Sequence, residues 1–168
     1  MTMRNDRYDT GQILDVDRRH GPGLWRSDIA LVRGEGSRVW DAEGREYLDC
    51  LAGIAVASVG HGNERLQEAL RAQAGKLIAF GQNIGSPARS AFLEKLFEFV
   101  KPPLTRAFLA SSGSEVNEAA LKWARATTGR SRFVAAKRGF SGRTLGVLGL
   151  TWEPSYRQPF EPLGVAVD

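Results

Sequence analysis

The chain has 168 residues, 42% of them hydrophobic and 25% charged, which allows one hydrophobic core and matches the balance of soluble globular proteins, so pervasive disorder does not fit. Its 23 basic residues are interleaved with 19 acidic ones for a net charge of +4 without a basic run, so nucleic acid is a poor partner, and a phosphorylated cofactor, a dicarboxylate or an acidic partner suits the charge better. The longest apolar stretch, Leu48 to Gly60, contains Asp49 and is shorter than the about 20 residues needed to cross a bilayer.

Met1 to Asp9 mixes Arg4, Asp6, Arg7 and Asp9 and lacks the apolar centre of a signal peptide, so a cytoplasmic location is expected. The first thirty residues are polar, hold Gly11, Gly21, Pro22 and Gly23, and read as an arm with one short helix. From Leu31 the pattern becomes β-prone: Leu31 to Arg33, Arg38 to Asp41 and Glu46 to Leu48 predict a small antiparallel meander, with Gly34, Gly36 and Gly44 in its turns. Cys50, near Leu48 and Leu51, is the sole cysteine and reads as a small buried hydrophobe rather than a reactive thiol. His61, placed after Gly60 and before a helix, suits a structural hydrogen bond better than catalysis.

Asn63 caps a helix whose Leu66, Ala69, Leu70, Ala74 and Leu77 share one face, predicting a half-buried element. Ser86 and Pro87 start a second helix that carries Phe92, Leu93, Leu96, Phe97 and Val100 and is stopped by Pro102 and Pro103. Arg106 to Ala110 then reads as a short strand leading into Ser111-Ser-Gly-Ser114 and a third helix. Val116, Ala119, Ala120, Trp123, Ala124 and Thr127 line one face of it, Glu118 and Lys122 pair on the other, and Gly129 ends it. Phe133 to Ala136 is a further strand, followed by the turn Gly139 to Thr144. Strand, helix, strand implies a right-handed crossover with the two strands parallel and ligands at their carboxyl ends.

Two turns carry the chemistry. At Ser111 to Ser114 the first N–H groups of a helix meet three hydroxyls, a reasonable anion cradle, although taken alone this is also ordinary capping. The crossover sets Phe140 and Arg143 beside the same crevice. An aromatic face suits a flat heteroaromatic ring, and a guanidinium fork suits a carboxylate. Each alone reads better as a core or surface side chain. Together they favour a phosphate, ring and carboxylate site. No G-x-G-x-x-G or P-loop is present, which removes the dinucleotide and P-loop readings.

These motifs, in order, are Val39-Trp-Asp-Ala-Glu-Gly-Arg-Glu-Tyr-Leu-Asp49, Ala52-Gly-Ile-Ala-Val56, Gly60-His61, Ser112-Gly-Ser-Glu-Val-Asn-Glu118, Gly139-Phe-Ser-Gly-Arg-Thr144 and Tyr156-Arg-Gln-Pro-Phe-Glu-Pro162. Along nearly its whole length the chain resembles the class III, fold-type I aminotransferases. The resemblance implies an α/β fold, the pyridoxal-phosphate-dependent transferase fold type I, here as its N-terminal segment and the first part of the large domain's mostly parallel sheet. Residues 1–62 would be an arm and meander of the small-domain part, and residues 63–168 the start of the large cofactor-binding domain. It implies pyridoxal 5'-phosphate as cofactor, Gly113 and Ser114 on its phosphate, Phe140 on its ring and Arg143 on the substrate α-carboxylate, with no metal.

Within the family the closest pattern is that of the enzymes acting on N-acetylornithine or on carrier-bound aminoadipate semialdehyde, in arginine or lysine biosynthesis. Both branches stay open: Val56-Ala57 and Thr151-Trp-Glu-Pro154 resemble the lysine-pathway branch, whereas Ile54 points to the other. Implied partners are a small-molecule amino donor and acceptor, a second copy in a homodimer and, in one branch, an acidic amino-group carrier protein. The family's Schiff-base lysine matches none of Lys76, Lys95, Lys101, Lys122 or Lys137, so no catalytic residue is expected in this chain. Expected activity is therefore that of an aminotransferase represented by its N-terminal part, or else a truncated, non-catalytic fragment of one.

Overall fold

Asp9 and Gln12 cap each other: the Asp9 carboxylate accepts from the Gln12 N–H at 2.8 Å and Gln12 Oε1 accepts from the Asp9 N–H at 3.2 Å, pairing donors that a helix start otherwise leaves unsatisfied. The helix that follows, α1 (Thr10–His20), is the one expected in the arm. The computed structural model describes residues 8–22 and 27–163, and the chain divides into two units, Met1–Ile84 and Gly85–Asp168.

In the first unit, strands β1 (Leu31–Glu35), β2 (Arg38–Asp41) and β3 (Glu46–Leu48) form the expected antiparallel meander in the order β1-β2-β3. Cross-strand pairing of Arg33 with Trp40 sets the guanidinium 3.6 Å from the indole centroid, a cation–π contact on the outer face. Asp41, 1% exposed, organises the β2–β3 turn. Its carboxylate accepts from the N–H groups of Glu43 and Arg45 at 3.1 and 2.8 Å, and from Arg45 Nε and Tyr47 Oη at 2.7 Å each. Burial pushes this carboxyl's pKa up, but the hydrogen bonds from Tyr47 and Arg45 outweigh it and hold the value below the ordinary one. Glu43, from the same turn, accepts from the N–H and hydroxyl of Thr10 at 3.0 and 2.7 Å, which ties α1 to the meander.

His61 has the structural role expected of it. Its Nε2 lies 2.6 Å from Asp49 Oδ2, and its backbone pairs with Gly36 at 2.8 and 2.9 Å. A Cβ on Gly34 would come within 2.6 Å of the imidazole, so only glycine lets the ring pack there. The other Asp49 oxygen accepts from the Leu51 and Ala52 N–H groups at 2.9 and 2.8 Å and holds the single turn α2 (Ala52–Ala55), in which Ala52, Gly53, Ile54 and Ala55 all have φ between 50° and 64°. Left-handed backbone costs about 1–2 kcal/mol per non-glycine residue. The Asp49–His61 pair therefore restrains a turn that local preference disfavours.

Helix α3 (Glu64–Ala74) is capped by Asn63, whose Oδ1 accepts from the Leu66 N–H at 3.0 Å, and it belongs to the first unit, which continues past residue 62 to Ile84. Two expectations fail here. Leu66 and Leu70 are exposed rather than half buried, and Cys50 is exposed together with Leu48 and Leu51. Helical periodicity fixes which side chains share a face, and local hydrophobicity favours burial, but neither supplies a covering element.

In the second unit, α4 (Pro87–Phe99) starts at Ser86 and Pro87 and stops before Pro102, while α5 (Gly113–Thr128) is closed by Gly129 at φ 68°. Two short helices, α6 (Leu145–Leu148) and α7 (Pro154–Arg157), follow. Val147 and Leu148 are buried in this unit. The expected parallel strands Arg106 to Ala110 and Phe133 to Ala136 are not found: among the described residues the meander is the one named sheet, and neither segment belongs to it. Phe108 and Val134 are exposed, Val134 fully. A strand exists only with a ladder partner, and apolar composition does not name that partner. The chain exposes 14655 Å², whereas two separately folded units of half its mass would expose about 9,900 Å² together. Much apolar surface is uncovered.

The hydrogen bond from His61, ahead of those from the Ala52 and Leu51 N–H groups, lowers the Asp49 pKa below its ordinary 3.8. A carboxyl with a lowered folded-state value stabilises the fold above its unfolded value and ceases to do so as pH falls through the folded one. Urea titrations of the full chain, followed by amide NMR signals of the meander, should therefore give a midpoint that drops as pH falls below 3.8. Asp49→Asn should lower the midpoint at neutral pH and flatten this dependence. An Asn variant with the wild-type pH profile would rule out the pair as the restraint.

Candidate functional site

Helix α5 begins with Ser112, whose Oγ accepts from the Glu115 N–H at 3.2 Å. The Glu115 carboxylate folds back to accept from the Ser111 N–H at 2.8 Å and the Ser112 hydroxyl at 3.3 Å. This satisfies the donor before the helix and the one at its third position. The N–H groups of Gly113 and Ser114 lead the helix, where no intrahelical acceptor reaches them, at its electropositive end. A Cβ on Gly113 would meet nothing within 4 Å. The space beside the cradle is open.

One face of α5 grips the turn that carries Phe140 and Arg143. Ser114, Asn117 and Glu118 are spaced i, i+3 and i+4 and so project together. Ser114 Oγ accepts from the Arg143 N–H at 3.3 Å, Asn117 Nδ2 donates to the Ser141 carbonyl at 2.7 Å, and Glu118 Oε1 accepts from the Thr144 hydroxyl at 2.6 Å. Periodicity places Glu118 with Lys122 on the outward face; the ion pairs of the described residues do not include that pair, and the Glu118 carboxylate serves the turn instead. Gly142, at φ 128°, lies so close that a Cβ would overlap Ser114 Oγ, and a Cβ on Gly146 would overlap the Glu118 carboxylate. Glycine is required at position 142 for the turn to approach the helix, by its positive φ as well as by the space.

Thr151, 2% exposed, braces the turn from the other side. Its hydroxyl accepts from the Ser141 N–H at 3.0 Å and donates to the Gly142 carbonyl at 2.9 Å, while the Trp152 N–H donates to the Gly139 carbonyl at 2.9 Å. Arg138 adopts φ 62° just before the turn. The Phe140 ring, 62% exposed, meets the Tyr156 ring edge to face at 6.1 Å between centroids. The Arg143 guanidinium carbon lies 4.4 Å from the Tyr156 centroid and 5.9 Å from that of Phe140. Phe140, Thr151, Trp152 and Tyr156 line a cleft of about 460 Å³.

Ser114 and the Phe140–Arg143 turn are thus brought together as the sequence predicted, although the strand pairing from which that closeness was inferred does not occur. Asn117, Thr151 and Tyr156 lie within the sequence motifs, but the sequence assigns none of them a part in the site. Each reads in isolation as an ordinary helix or loop residue, and only the i, i+3, i+4 spacing of Ser114, Asn117 and Glu118 hints at a shared contact. Donors at a helix start, an exposed aromatic face and a guanidinium can together receive a phosphorylated aromatic ring carrying a carboxylate-bearing substrate.

The family model for class III aminotransferases matches residues 24–167. The chain is 44% identical over 167 residues to the LysW-aminoadipate semialdehyde transaminase of Deinococcus radiodurans, covering 99% of this chain and 38% of that protein. It is 41% identical over 148 residues to the acetylornithine aminotransferase of Methanopyrus kandleri, covering 88% of this chain and 38% of the relative. Among solved structures it is similar to the ornithine aminotransferase of Toxoplasma gondii, described with partial occupancy of pyridoxal phosphate at its active site, with a TM-score of 0.76 and 26% identity over 93% of this chain and 38% of that one. The chain therefore spans about two fifths of the length of the proteins it matches.

Because a Cβ at Gly113 fills open space and meets no protein atom, Gly113→Ala should leave the fold and its melting behaviour intact. With its methyl group standing beside the Gly113 and Ser114 N–H groups and keeping a phosphate from approaching them closely, it should nonetheless weaken binding of pyridoxal phosphate or inorganic phosphate, measured by equilibrium titration, by roughly 10-fold, the equivalent of one charge-assisted contact. Unchanged phosphate affinity in the alanine variant would argue against a cradle at this helix start.

Proposed function

The chain belongs to the class III aminotransferases, a family dependent on pyridoxal 5'-phosphate, and from that premise we propose that it forms the cofactor- and carboxylate-recognising part of an aminotransferase. The amino group would pass between glutamate or 2-oxoglutarate and a substrate with an ω-aldehyde or ω-amine, either N-acetylornithine or a carrier-bound aminoadipate semialdehyde. The observation that carries this reading is the hydrogen bond from the Arg143 N–H to Ser114 Oγ at 3.3 Å. It brings the helix start and the turn bearing Phe140 and Arg143 into contact, which supports reading them as one site.

In this reading Gly113 and Ser114 hold the cofactor's phosphate. The Gly113 and Ser114 N–H groups and the Ser114 hydroxyl proton donate to it, while the Ser114 lone pair keeps the Arg143 backbone in place. Phe140 packs on the pyridine ring, and Arg143 receives the substrate's α-carboxylate in its fork. The cofactor, when bound, supplies an electron sink for proton removal from the substrate carbon. This chain's own residues bind and orient.

Residues 1–62 are assigned to the arm and small-domain part and residues 63–168 to the large domain, and the working enzyme to a cytoplasmic homodimer. The identity of 44% to an enzyme named for a LysW-linked substrate supports an amino-group carrier protein as the partner that presents it.

Turnover with glutamate as donor, measured beside cofactor retention, tests the role of each residue. In the active enzyme Arg143→Ala should lower kcat/KM roughly 10- to 100-fold with cofactor still bound, the loss of a bidentate charge-assisted contact. Arg143→Lys should restore only part of it, since an ammonium keeps the charge and loses the fork. Phe140→Ala should release cofactor instead. Cofactor loss from Arg143→Ala with normal handling of the donor would reverse the assignment.

A further inference from the structure

Arg143 is held at two points. Its backbone N–H is fixed by Ser114, and its guanidinium lies over the face of Tyr156 at 4.4 Å, well inside the about 6 Å reach of a cation–π contact. None of the salt bridges or side-chain hydrogen bonds of the described residues uses this guanidinium, so its N–H donors are not committed to another protein group and are available to a ligand. Tyr156 also meets Phe140 edge to face. The same side chain thus touches both the ring proposed to face the cofactor and the group proposed to face the carboxylate.

Tyr156 reaches this place through its own short element. Glu153 caps α7 by accepting from the Ser155 N–H at 3.2 Å, Pro154 takes the first helical position, and the Tyr156 N–H donates to the Glu153 carbonyl at 3.1 Å. The Trp152 N–H bond to the Gly139 carbonyl fastens the start of that element to the turn bearing Phe140.

We propose that Tyr156 is a positioning residue that sets the direction of the Arg143 fork through the π face of its ring, and thereby determines how tightly the site takes a carboxylate. The inference rests on the assignment of Arg143 to carboxylate binding. The ring, not the hydroxyl, is the working part, since no hydrogen bond of the described residues uses that hydroxyl.

NMR of the full chain tests this with glutarate as the carboxylate probe. In the wild type, ring current should shift the Arg143 side-chain signals upfield, and glutarate should move the Arg143 Nε–Hε signal along a saturable curve. Tyr156→Phe should keep the upfield shift and change the glutarate Kd by no more than about two-fold, whereas Tyr156→Leu should abolish the shift and raise Kd about 2- to 30-fold. Phenylalanines of increasing fluorination at position 156 preserve shape while weakening the ring's negative face, so Kd should rise with each fluorine even if the leucine variant fails to fold. A Kd independent of fluorination would overturn the positioning role while leaving Arg143 as the carboxylate ligand. Wild-type Arg143 signals that ignore glutarate altogether would overturn the carboxylate assignment and this inference with it.

Discussion

The approach of the Gly139 to Thr144 turn to helix α5 is the constraint on which the site depends. Ser114, Asn117 and Glu118 each hold a different point of that turn, and Gly142 permits the distance. Three hydrogen bonds from one helix face define both position and orientation, so Phe140 and Arg143 are placed by the same helix whose first turn offers free N–H donors. Buried Thr151 closes the arrangement from behind. In the proposed function, a helix start that is an ordinary cap elsewhere becomes one wall of a site with an aromatic face and a cation.

In the first unit two carboxylates play comparable parts. Asp41 gathers four donors around the β2–β3 turn, and Asp49 joins His61 to the left-handed turn at Ala52 to Ala55. Both have lowered pKa values for the same reason, since their charged forms accept hydrogen bonds that their neutral forms would accept less well. Apolar side chains including Leu48, Leu66, Leu70, Phe108 and Val134 are left exposed.

Much of the local structure was legible in the sequence because its signals are local. Asn63 and Ser112 mark helix starts by the N–H groups they satisfy, Pro87 by its fixed φ and Gly129 a helix end by the φ it allows, and the meander follows from alternation and turn glycines. Gly113, Ser114, Phe140 and Arg143 were proposed as site residues from chemical type and motif resemblance. What could not be read depends on neighbours distant in sequence. The segments at Arg106 to Ala110 and Phe133 to Ala136 have strand composition, but no strand forms without a partner ladder. Cys50 and the apolar face of α3 have buried-type sequence and no cover. Thr151 and Tyr156 lie well beyond the turn they brace, and no periodicity links them to it.

The central claim is that the start of α5 and the Phe140–Arg143 turn form a single site. Titration of the full chain with pyridoxal phosphate, followed by NMR at the Gly113 and Ser114 amides, the Phe140 ring and the Arg143 side chain, tests it most directly. All four sets of signals are expected to move along one binding curve with one Kd. Movement of the Gly113 and Ser114 signals alone, or two separate curves for the helix start and the turn, would contradict it.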